Sequence, residues 1–295
     1  MFKRFIYRTC VPVLAAIVMF GTAGTEMVGS ARAQSGSQGL ALRISTPKSS
    51  YVQLEAIPFS FSLSNPTTAP VKWQGVFTLG PDMDLLIQSA SGRERVIEGR
   101  MMNIAAMAAP IAVTRPGENI ESGAVIEGVS LFEKAFPFPG TYQVRVRFSY
   151  AKVNGEESVR ETIVSNAAAI TIENPQGTDF EAYNFIKNDL ERARRERKTG
   201  TELAEMQRDF VDSYGSTAYG KQLTWKLALT YKALGQDQNA VRQLCDLVQS
   251  SSSYAKQAEQ LLYSLDVKLH PIDTTPLPEN FPAPTRPHPC SRIGK

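Results

Sequence analysis

The sequence has almost no histidine and little cysteine. Its 295 residues include two histidines, His270 and His288, and three cysteines. Both histidines lie in a proline-rich stretch near the C-terminal end. Histidine is the side chain that most often acts as a general base or binds a metal near neutral pH. This scarcity argues against a histidine-based catalytic or metal site in the folded body, and we predict no metal and no cofactor.

The chain also has no excess of charge of one sign. The first 33 residues contain four of the 32 basic and one of the 29 acidic residues, so that 28 of each remain in the rest of the chain. A neutral body lacks the basic surface that nucleic acid or anionic lipid requires. After residue 33, no stretch reaches the about 18 apolar residues that a membrane-spanning helix needs. We therefore expect no nucleic-acid partner and no stable membrane insertion of the mature chain.

Residues 1–33 are typical of a signal peptide. Basic residues at positions 3, 4 and 8 precede an apolar run over residues 11–20, and residues 31–33 have the small-x-small pattern that signal peptidase accepts. We predict cleavage between Ala33 and Gln34 and export to the periplasm or the medium of a bacterium. An uncleaved N-terminal anchor is the alternative.

Cleavage would leave two cysteines, Cys245 and Cys290, in the mature chain. Disulfides persist in oxidising compartments, and only one pairing is available to two cysteines. We predict that they form a disulfide that joins the C-terminal tail to the helical part of the chain. Alternatively, Cys245, which lies between Leu244 and Leu247, is a small buried apolar residue and Cys290 is a free thiol.

Residues 34–173 have the two-residue period of β-strands. In the clearest case, residues at alternate positions of 142–150 are apolar and the intervening ones are polar. Further strands are predicted at residues 40–44, 59–63, 71–78, 83–88, 111–114, 124–131, 159–164 and 168–172. Short strands separated by turn signals such as Asn154-Gly155 predict an antiparallel β-sandwich, with a barrel as the alternative.

Two stretches of this part resemble bacterial immunoglobulin-like domains. The first runs from Tyr51 to Asn65 and has an acidic residue before a strand that ends in asparagine. The second is the Pro-Gly-Thr-Tyr sequence at residues 139–142. The resemblance implies an immunoglobulin-like sandwich but no particular reaction, because domains of this kind have many functions. Unlike antibody domains, this part contains no cysteine.

Residues 174–269 have the 3.6-residue period of helices. Thr178 and Glu181 have the spacing of a capping box that would begin the first helix. Within residues 221–254 the sequence resembles one tetratricopeptide repeat, through Leu227, Ala228, Tyr231, Gly235, Ala240 and Leu244. The resemblance implies helical hairpins that bind a protein or peptide partner. A dimerisation module or a rigid spacer is the alternative.

Together these patterns predict an α+β fold in two separate domains. The predicted order is a signal peptide (1–33), an immunoglobulin-like β-sandwich (34–173), a tetratricopeptide-like helical domain (174–269) and an extended tail (270–295). The tail contains seven of the 18 prolines, which favours polyproline II conformation.

The sequence contains no catalytic motif that would name a reaction. It has no GxSxG elbow, no HExxH pair and no phosphate-binding glycine loop. We expect a non-catalytic protein-binding or scaffold protein of the bacterial envelope, with an unidentified protein or peptide partner and an oligomeric state that the sequence leaves open. One alternative is a peptidase inhibitor-like β-sandwich protein. The other is a carboxylate-dependent envelope hydrolase, for which Asp82 and Asp84 are the nearest carboxylate pair.

Overall fold

Two β-sheets and a succession of helices make up the part of the chain that the computed structural model describes, residues 39–99, 110–250, 252–269 and 288–292. The predicted signal peptide, with its cleavage site at Ala33 and Gln34, lies outside these residues. Most of the predicted proline-rich tail also lies outside them.

Eleven strands occur in the described residues. They are β1 (Ala41–Ser45), β2 (Ser50–Val52), β3 (Ile57–Ser64), β4 (Val71–Gln74), β5 (Met83–Ser89), β6 (Glu94–Ile97), β7 (Ile111–Thr114), β8 (Asn119–Ile126), β9 (Gly140–Asn154), β10 (Glu157–Val164) and β11 (Ala168–Glu173). The smaller sheet is antiparallel and has the order β1–β3–β8. The other eight strands form the larger sheet.

The larger sheet is built around β9, its longest strand. Along one edge β9 pairs first with β11 and then with β10, and along the other edge it pairs with β5 and then with β4. Strands β6 and β7 extend the sheet beyond β5 and β4, and β2 pairs in parallel with β11. Alternate side chains of β9 are buried, because a strand with one covered face needs apolar residues at every second position. These are Tyr142, Val144, Val146, Phe148 and Tyr150.

Seven α-helices occur in the same described residues. They are α1 (Val129–Ala135), α2 (Gly177–Asn184), α3 (Glu191–Arg195), α4 (Gly200–Tyr214), α5 (Gly220–Ala233), α6 (Asp237–Val248) and α7 (Ala255–Leu269). A π-helical segment, Phe185–Leu190, joins α2 to α3 in one continuous run. Helices α4 to α7 pack each against the next, and a 3₁₀ turn, Pro289–Arg292, packs against α6 and α7.

The strands and the helices share a buried core, so the predicted fold class of two separate domains is wrong. One continuous cluster of buried side chains extends from both sheets into α2, the π-helical segment, α4 and α5. Its members in the helical part of the chain include Ala182, Ile186, Phe210, Tyr219 and Leu223. A change of hydrophobic period locates the end of the strands, but it does not show what covers each apolar face. Here the first helices cover the strands.

The two resemblances also fail to describe the architecture. The immunoglobulin-like prediction requires two antiparallel sheets, whereas the larger sheet has eight strands and includes a parallel pair. The tetratricopeptide-like prediction requires a helical hairpin that recurs, whereas the first helical run changes to π geometry at Phe185–Leu190 and buries its apolar face in the core of the sheets. The predictions of an immunoglobulin-like sandwich and of tetratricopeptide-like hairpins are therefore both wrong.

Two local predictions are wrong as well. Residues 124–131 form a strand only as far as Ile126, because the chain turns at Gly128, whose φ is 82°, and α1 follows. Thr178 does not cap a helix, since α2 begins at Gly177 without a side-chain cap. A capping box occurs instead before α4, where Thr199 and Glu202 exchange hydrogen bonds of 3.3 and 2.9 Å.

The turn between β2 and β3 connects the sheets to the helices. Leu54 in this turn has a φ of 66°, a left-handed conformation that costs a non-glycine residue about 1–2 kcal/mol. Its side chain is nevertheless buried, next to Ile186 and Leu223 of the helices. The carbonyl of Gln53 accepts a hydrogen bond of 2.7 Å from the hydroxyl of Tyr219 in the helical part. Burial of Leu54 therefore offsets the backbone strain and holds the turn against α5.

Cys245 and Cys290 are joined by a disulfide in the structure, with their Cα atoms 5.6 Å apart. The bond links α6 to the 3₁₀ turn, and it closes a loop with a sequence separation of 45 residues. It is thus the covalent link between the helices and the described part of the tail.

Replacement of Leu54 by alanine (Leu54→Ala) should lower the free energy of unfolding by about 2–5 kcal/mol, because it leaves a cavity in the core. Leu229→Ala is the control, since Leu229 lies on α5 and is 40% exposed. The control should change the free energy of unfolding by less than about 0.5 kcal/mol. Urea denaturation followed by circular dichroism measures both. Equal losses in the two variants would contradict the role assigned to Leu54.

Reduction of the disulfide should lower the free energy of unfolding by up to about 4 kcal/mol, the unfolded-state entropy that a closed loop of this length removes in the chain-entropy model. Urea denaturation with and without reductant measures the change. Alkylation without reductant, followed by mass spectrometry, should label neither Cys245 nor Cys290. Labelling of both thiols in the native protein would show that the bond is absent.

Candidate functional site

A groove with a volume of about 300 Å³ lies where the β2–β3 turn meets the beginnings of α5 and α7. This volume is at the lower end of the range for sites that bind small molecules, about 300–1,000 Å³. We call it the junction groove, and its polar lining consists of Lys48, Tyr51, Glu55, Lys221, Gln222, Ser252, Ser253 and Tyr254.

A tight turn between α4 and α5 brings the first residues of α5 to the junction groove. A Cβ atom on Gly220 would lie 2.0 Å from the carbonyl oxygen of Gly215, so only glycine permits this approach of the backbone. The N–H of Ala218 donates a 3.0 Å hydrogen bond to Asp179 Oδ1 of α2, which fixes the turn to the preceding helix. The position of Lys221 is therefore determined by backbone contacts on both sides.

Two helices begin at the junction groove, and the charges in their first turns are unfavourable for the helix dipole. The first N–H groups of a helix have no partner within the helix, and the dipole places partial positive charge there. Helix α5 has no side-chain cap and no acidic residue in its first turn, which contains Lys221. Helix α7 also has no acidic residue in its first turn, which contains Lys256. In contrast, α2, α4 and α6 have Asp179, Glu202 and Asp237 in their first turns.

Two buried polar atoms of the junction groove have unused hydrogen-bonding capacity. Gln222 Oε1 and Ser252 Oγ form no hydrogen bond with any described residue, and Gln222 as a whole is 3% exposed. A buried polar atom without a partner costs about 1–3 kcal/mol. Each atom exposes less than 1 Å² of surface, so a ligand in the open groove would reach it only after a change in side-chain conformation.

The charged residues of the groove differ in their pairing. Lys48 Nζ lies 2.6 Å from Glu55 Oε1 and 4.6 Å from the centre of the Tyr51 ring. Glu55 Oε2 accepts a 3.1 Å hydrogen bond from the N–H of Val52. Burial raises the pKa of the Glu55 carboxyl group, and its bond to Lys48 opposes that increase. Lys221 makes no ion pair with another described residue, so its charge is available to a ligand.

Behind the groove, a cavity of about 20 Å³ lies between the sheets and the helices. Lys226 lines it, and Lys226 Nζ lies 3.9 Å from Glu127 Oε2. The same carboxylate oxygen accepts a 2.9 Å hydrogen bond from the hydroxyl of Tyr254. Burial lowers the pKa of the Lys226 ammonium group and raises the pKa of Tyr254. The cavity has room for about one water molecule, so these residues position Tyr254 rather than bind a substrate.

The site residues predicted from the sequence do not line the junction groove. Five of the repeat-packing residues are buried in a second cluster, which the helices form largely among themselves: Leu227, Ala228, Tyr231, Ala240 and Leu244. The sixth, Gly235, has a φ of 72° and ends α5, where the N–H of Gln236 donates to the carbonyl of Tyr231. Cys245 and Cys290 form the disulfide described above, and Ala33 and Gln34 lie outside the described residues.

The carboxylate pair considered for a hydrolase is engaged in structural hydrogen bonds. Asp82 Oδ2 accepts a 2.9 Å bond from the N–H of Val76. Asp84 Oδ2 pairs with Arg147 at 2.6 Å, and its Oδ1 accepts from the N–H of Gly99 at 3.2 Å. Both carboxylates therefore hold loops and strands of the larger sheet together.

Within the described ranges, no group of three or more histidine, cysteine, aspartate or glutamate side chains could hold a metal ion. None of the helices in these ranges is long and apolar enough to cross a membrane.

Sequence reasoning missed Lys221, Gln222 and Ser252, which are brought together only by packing between distant parts of the chain. One signal was present in the sequence. The helix that begins near Gly220 has a lysine and no acid in its first turn, which opposes the helix dipole. Such a local conflict is a reason to look for a binding role.

Lys226→Met should change how stability depends on pH. Burial lowers the pKa of Lys226 below 10.5, its value in the unfolded chain. As the pH rises towards 10.5, the unfolded state therefore keeps a proton on Lys226 that the folded state has released. The wild-type protein should therefore gain stability relative to the variant between pH 7 and about pH 9.5. Urea denaturation at both pH values measures this. Lys232→Met, an exposed position on the same helix, is the control, and an equal pH dependence of all three proteins would refute the burial effect.

No protein-family model and no curated protein matches the chain. Among solved structures, it is similar to Spo0M, a sporulation control protein from Bacillus subtilis, with 9% identity and a TM-score of 0.27 over 51% of this chain and 55% of that chain. It is also similar to AggA, the major subunit of aggregative adherence fimbriae from Escherichia coli, with 12% identity and a TM-score of 0.27 over 47% and 98% of the two chains. A third similar structure is the alkylpurine DNA glycosylase AlkC from Pseudomonas fluorescens, with 13% identity and a TM-score of 0.27 over 46% of this chain and 30% of that chain. Similarity at this level supports no argument about fold or function.

Proposed function

We propose that the protein is an exported, non-catalytic binding protein of the bacterial envelope that holds a protein partner at the junction groove. The observation that carries this proposal is the convergence of two helix beginnings and the unpaired charge of Lys221 on one opening. Side chains held by helices and strands need little reordering to bind, so less free energy is lost on association.

The chemistry of the groove favours binding over catalysis. Glu55 is the carboxylate in its lining, and both of its oxygens are already engaged, one by Lys48 and one by the N–H of Val52. The charge that is left unpaired in the lining is that of Lys221, and the side chains of Gln222, Ser252 and Ser253 are further polar groups of the lining. Such groups orient a polar segment of a partner by hydrogen bonds and charge.

Export is proposed from the N-terminal pattern of residues 1–33, with cleavage between Ala33 and Gln34. A disulfide between Cys245 and Cys290 suits this location, because such bonds persist outside the reducing cytosol.

The proposal is tested by capture of a tagged protein that is produced from the full-length sequence in its bacterial host. The protein should occur in the periplasmic or extracellular fraction and should begin at Gln34. Crosslinking, purification and mass spectrometry should identify one partner in a near-stoichiometric amount, and the two purified proteins should bind directly in a calorimetric titration. An unrelated tagged exported protein is the control.

Two results would count against the proposal. Retention of the protein in the cytoplasm would contradict export. Absence of any partner beyond those of the control would contradict the binding role, and stoichiometric inhibition of an envelope peptidase in that case would favour the inhibitor alternative.

A further inference from the structure

We infer that two copies of this protein associate through β8, the outer strand of the smaller sheet, which pairs antiparallel with β8 of the second copy. The contact is symmetric about a two-fold axis and joins the two smaller sheets into one continuous sheet. The inference goes beyond the proposed function and does not depend on the junction groove.

Strand β8 is an edge without the usual protection against pairing. Along its whole length of eight residues it pairs with β3, and no other strand of the described residues pairs with it. The free side of such a strand presents a row of N–H and C=O groups to another chain, and proteins blunt these edges with proline, with charged residues or by keeping them short. Strand β8 has no proline and no basic residue, and Glu121 is its one charged residue.

The other outer strands of the two sheets each have a feature that disfavours pairing. On β1, the N–H and the carbonyl of Ile44 are hydrogen-bonded to the side chain of Asn166, at 3.0 and 3.1 Å. Strands β2, β6 and β7 have only three or four residues. Strand β10 has eight residues, of which Glu157, Arg160 and Glu161 are charged. Among the described edges, β8 is therefore the one best suited to pair with another chain.

Every second residue of β8 directs its backbone groups away from β3. Just before β8, the N–H of Asn65 donates to the carbonyl of Glu118 at 3.2 Å, and bonded pairs alternate with non-bonded pairs along an antiparallel ladder. The even-numbered residues of β8 therefore bond to β3. Pro58, which has no N–H, lies opposite the odd-numbered Val125, as this assignment requires. The groups open to a second chain are those of residues 119, 121, 123 and 125.

The direction of these groups limits the register of a dimer. Open groups must face open groups, so odd-numbered residues lie opposite odd-numbered residues and the two-fold axis passes through a residue of β8. With the axis at Ser122, Glu121 lies opposite Gly123 of the second copy, and all four open positions are used. No charge then faces a like charge, which would be destabilising across a strand pair. An axis at Gly123 would use only three of the four open positions.

The same register covers apolar surface at the edge. Ile120 and Ala124 pack against the core but are only partly buried. With the axis at Ser122, Ile120 of each copy lies opposite Ala124 of the other, so the apolar face of the smaller sheet continues across the interface. Removal of these side chains from water adds to the backbone hydrogen bonds of the strand pair.

Sedimentation velocity of the purified protein, from about 1 to about 500 µM, tests the inference. We expect a monomer–dimer equilibrium with a Kd of about 10–100 µM, because one strand pair is smaller than a standard interface of about 1,200–2,000 Å². Glu121→Pro should weaken dimerisation by at least about tenfold, since it removes an open N–H from the interface. It removes no bond to β3, and edge strands tolerate proline where the N–H faces outward.

Arg160→Pro on β10 is the matched control. The N–H of Ser165 donates to the carbonyl of Val146 at 2.9 Å, and by the same alternation the N–H of Arg160 points away from β9. This variant therefore also has a proline at an outward position of an edge strand, and it should dimerise like the wild-type protein. Thermal melting of both variants confirms that they are folded.

Ser122→Cys gives a second measurement that does not depend on a proline. Residues that face each other in a non-bonded pair have Cα atoms about 4.5 Å apart, within the range that a disulfide spans. After removal of residues 1–33, the introduced thiol is the only one besides the bonded Cys245 and Cys290. Mild oxidation should therefore give a covalent dimer on a non-reducing gel, whereas Ser158→Cys on β10 should remain monomeric.

Three results would overturn the inference. These are a monomer over the whole concentration range, equal dimerisation of the wild-type protein and Glu121→Pro, and covalent dimers that are as abundant in Ser158→Cys as in Ser122→Cys. A monomeric protein that lost a captured partner in Glu121→Pro would assign the edge to a strand of that partner rather than to a second copy. A monomeric protein that kept its partner in this variant would leave the proposed function intact.

Discussion

The left-handed turn at Leu54 is the constraint on which the rest of the arrangement depends. Because the backbone reverses there, the side chain of Leu54 enters the helical part, while the next residue, Glu55, faces the junction groove. The carbonyl of Gln53 is then directed to the hydroxyl of Tyr219, which is itself fully buried. A strained residue of this kind, at about 1–3 kcal/mol, persists only where the surrounding packing determines it. One turn thus fixes both the core between sheets and helices and one wall of the groove.

The opposite wall is held by a buried polar contact. Tyr254 donates its hydroxyl to Glu127, which follows β8, and Lys226 of α5 lies near the same carboxylate. A partly buried ion pair with this separation adds little net stability, because withdrawing the charges from water costs about as much as their attraction returns. The geometric effect of Glu127 is larger, because this carboxylate holds Tyr254, the residue that precedes α7, to both the smaller sheet and α5. The main effect of these contacts is therefore to fix the positions of the residues that line the groove.

The sequence predicted those elements whose buried face is visible in their own pattern of apolar and polar residues. The alternation over residues 142–150 lies within β9, because each of these side chains meets the same covered face. Strand β2 was missed because it has only three residues, and β6 was missed because two charged residues are followed by two apolar ones, which is not an alternation. The shared core was not predictable, because the apolar face of α2 has the same pattern whether it covers another helix or a sheet. The junction groove was not predicted for a related reason: Lys221 lies on α5 and Ser252 lies before α7, and the two residues meet only in the folded chain.

The position of α7 shows how the folded chain and the disulfide act together. Helix α7 packs against α6, and the 3₁₀ turn that contains Cys290 packs against both helices, while the bond to Cys245 anchors that turn to α6. The hydrogen bond between Tyr254 and Glu127 therefore holds the start of α7 to the core. The 3₁₀ turn, which is bonded to α6 through the disulfide, packs against α7 on the other side. A wall that is restrained on two sides keeps the first turn of α7 in one orientation. Rigid elements of this kind bind a partner without the entropy loss of ordering a loop, which suits the binding role proposed for the groove.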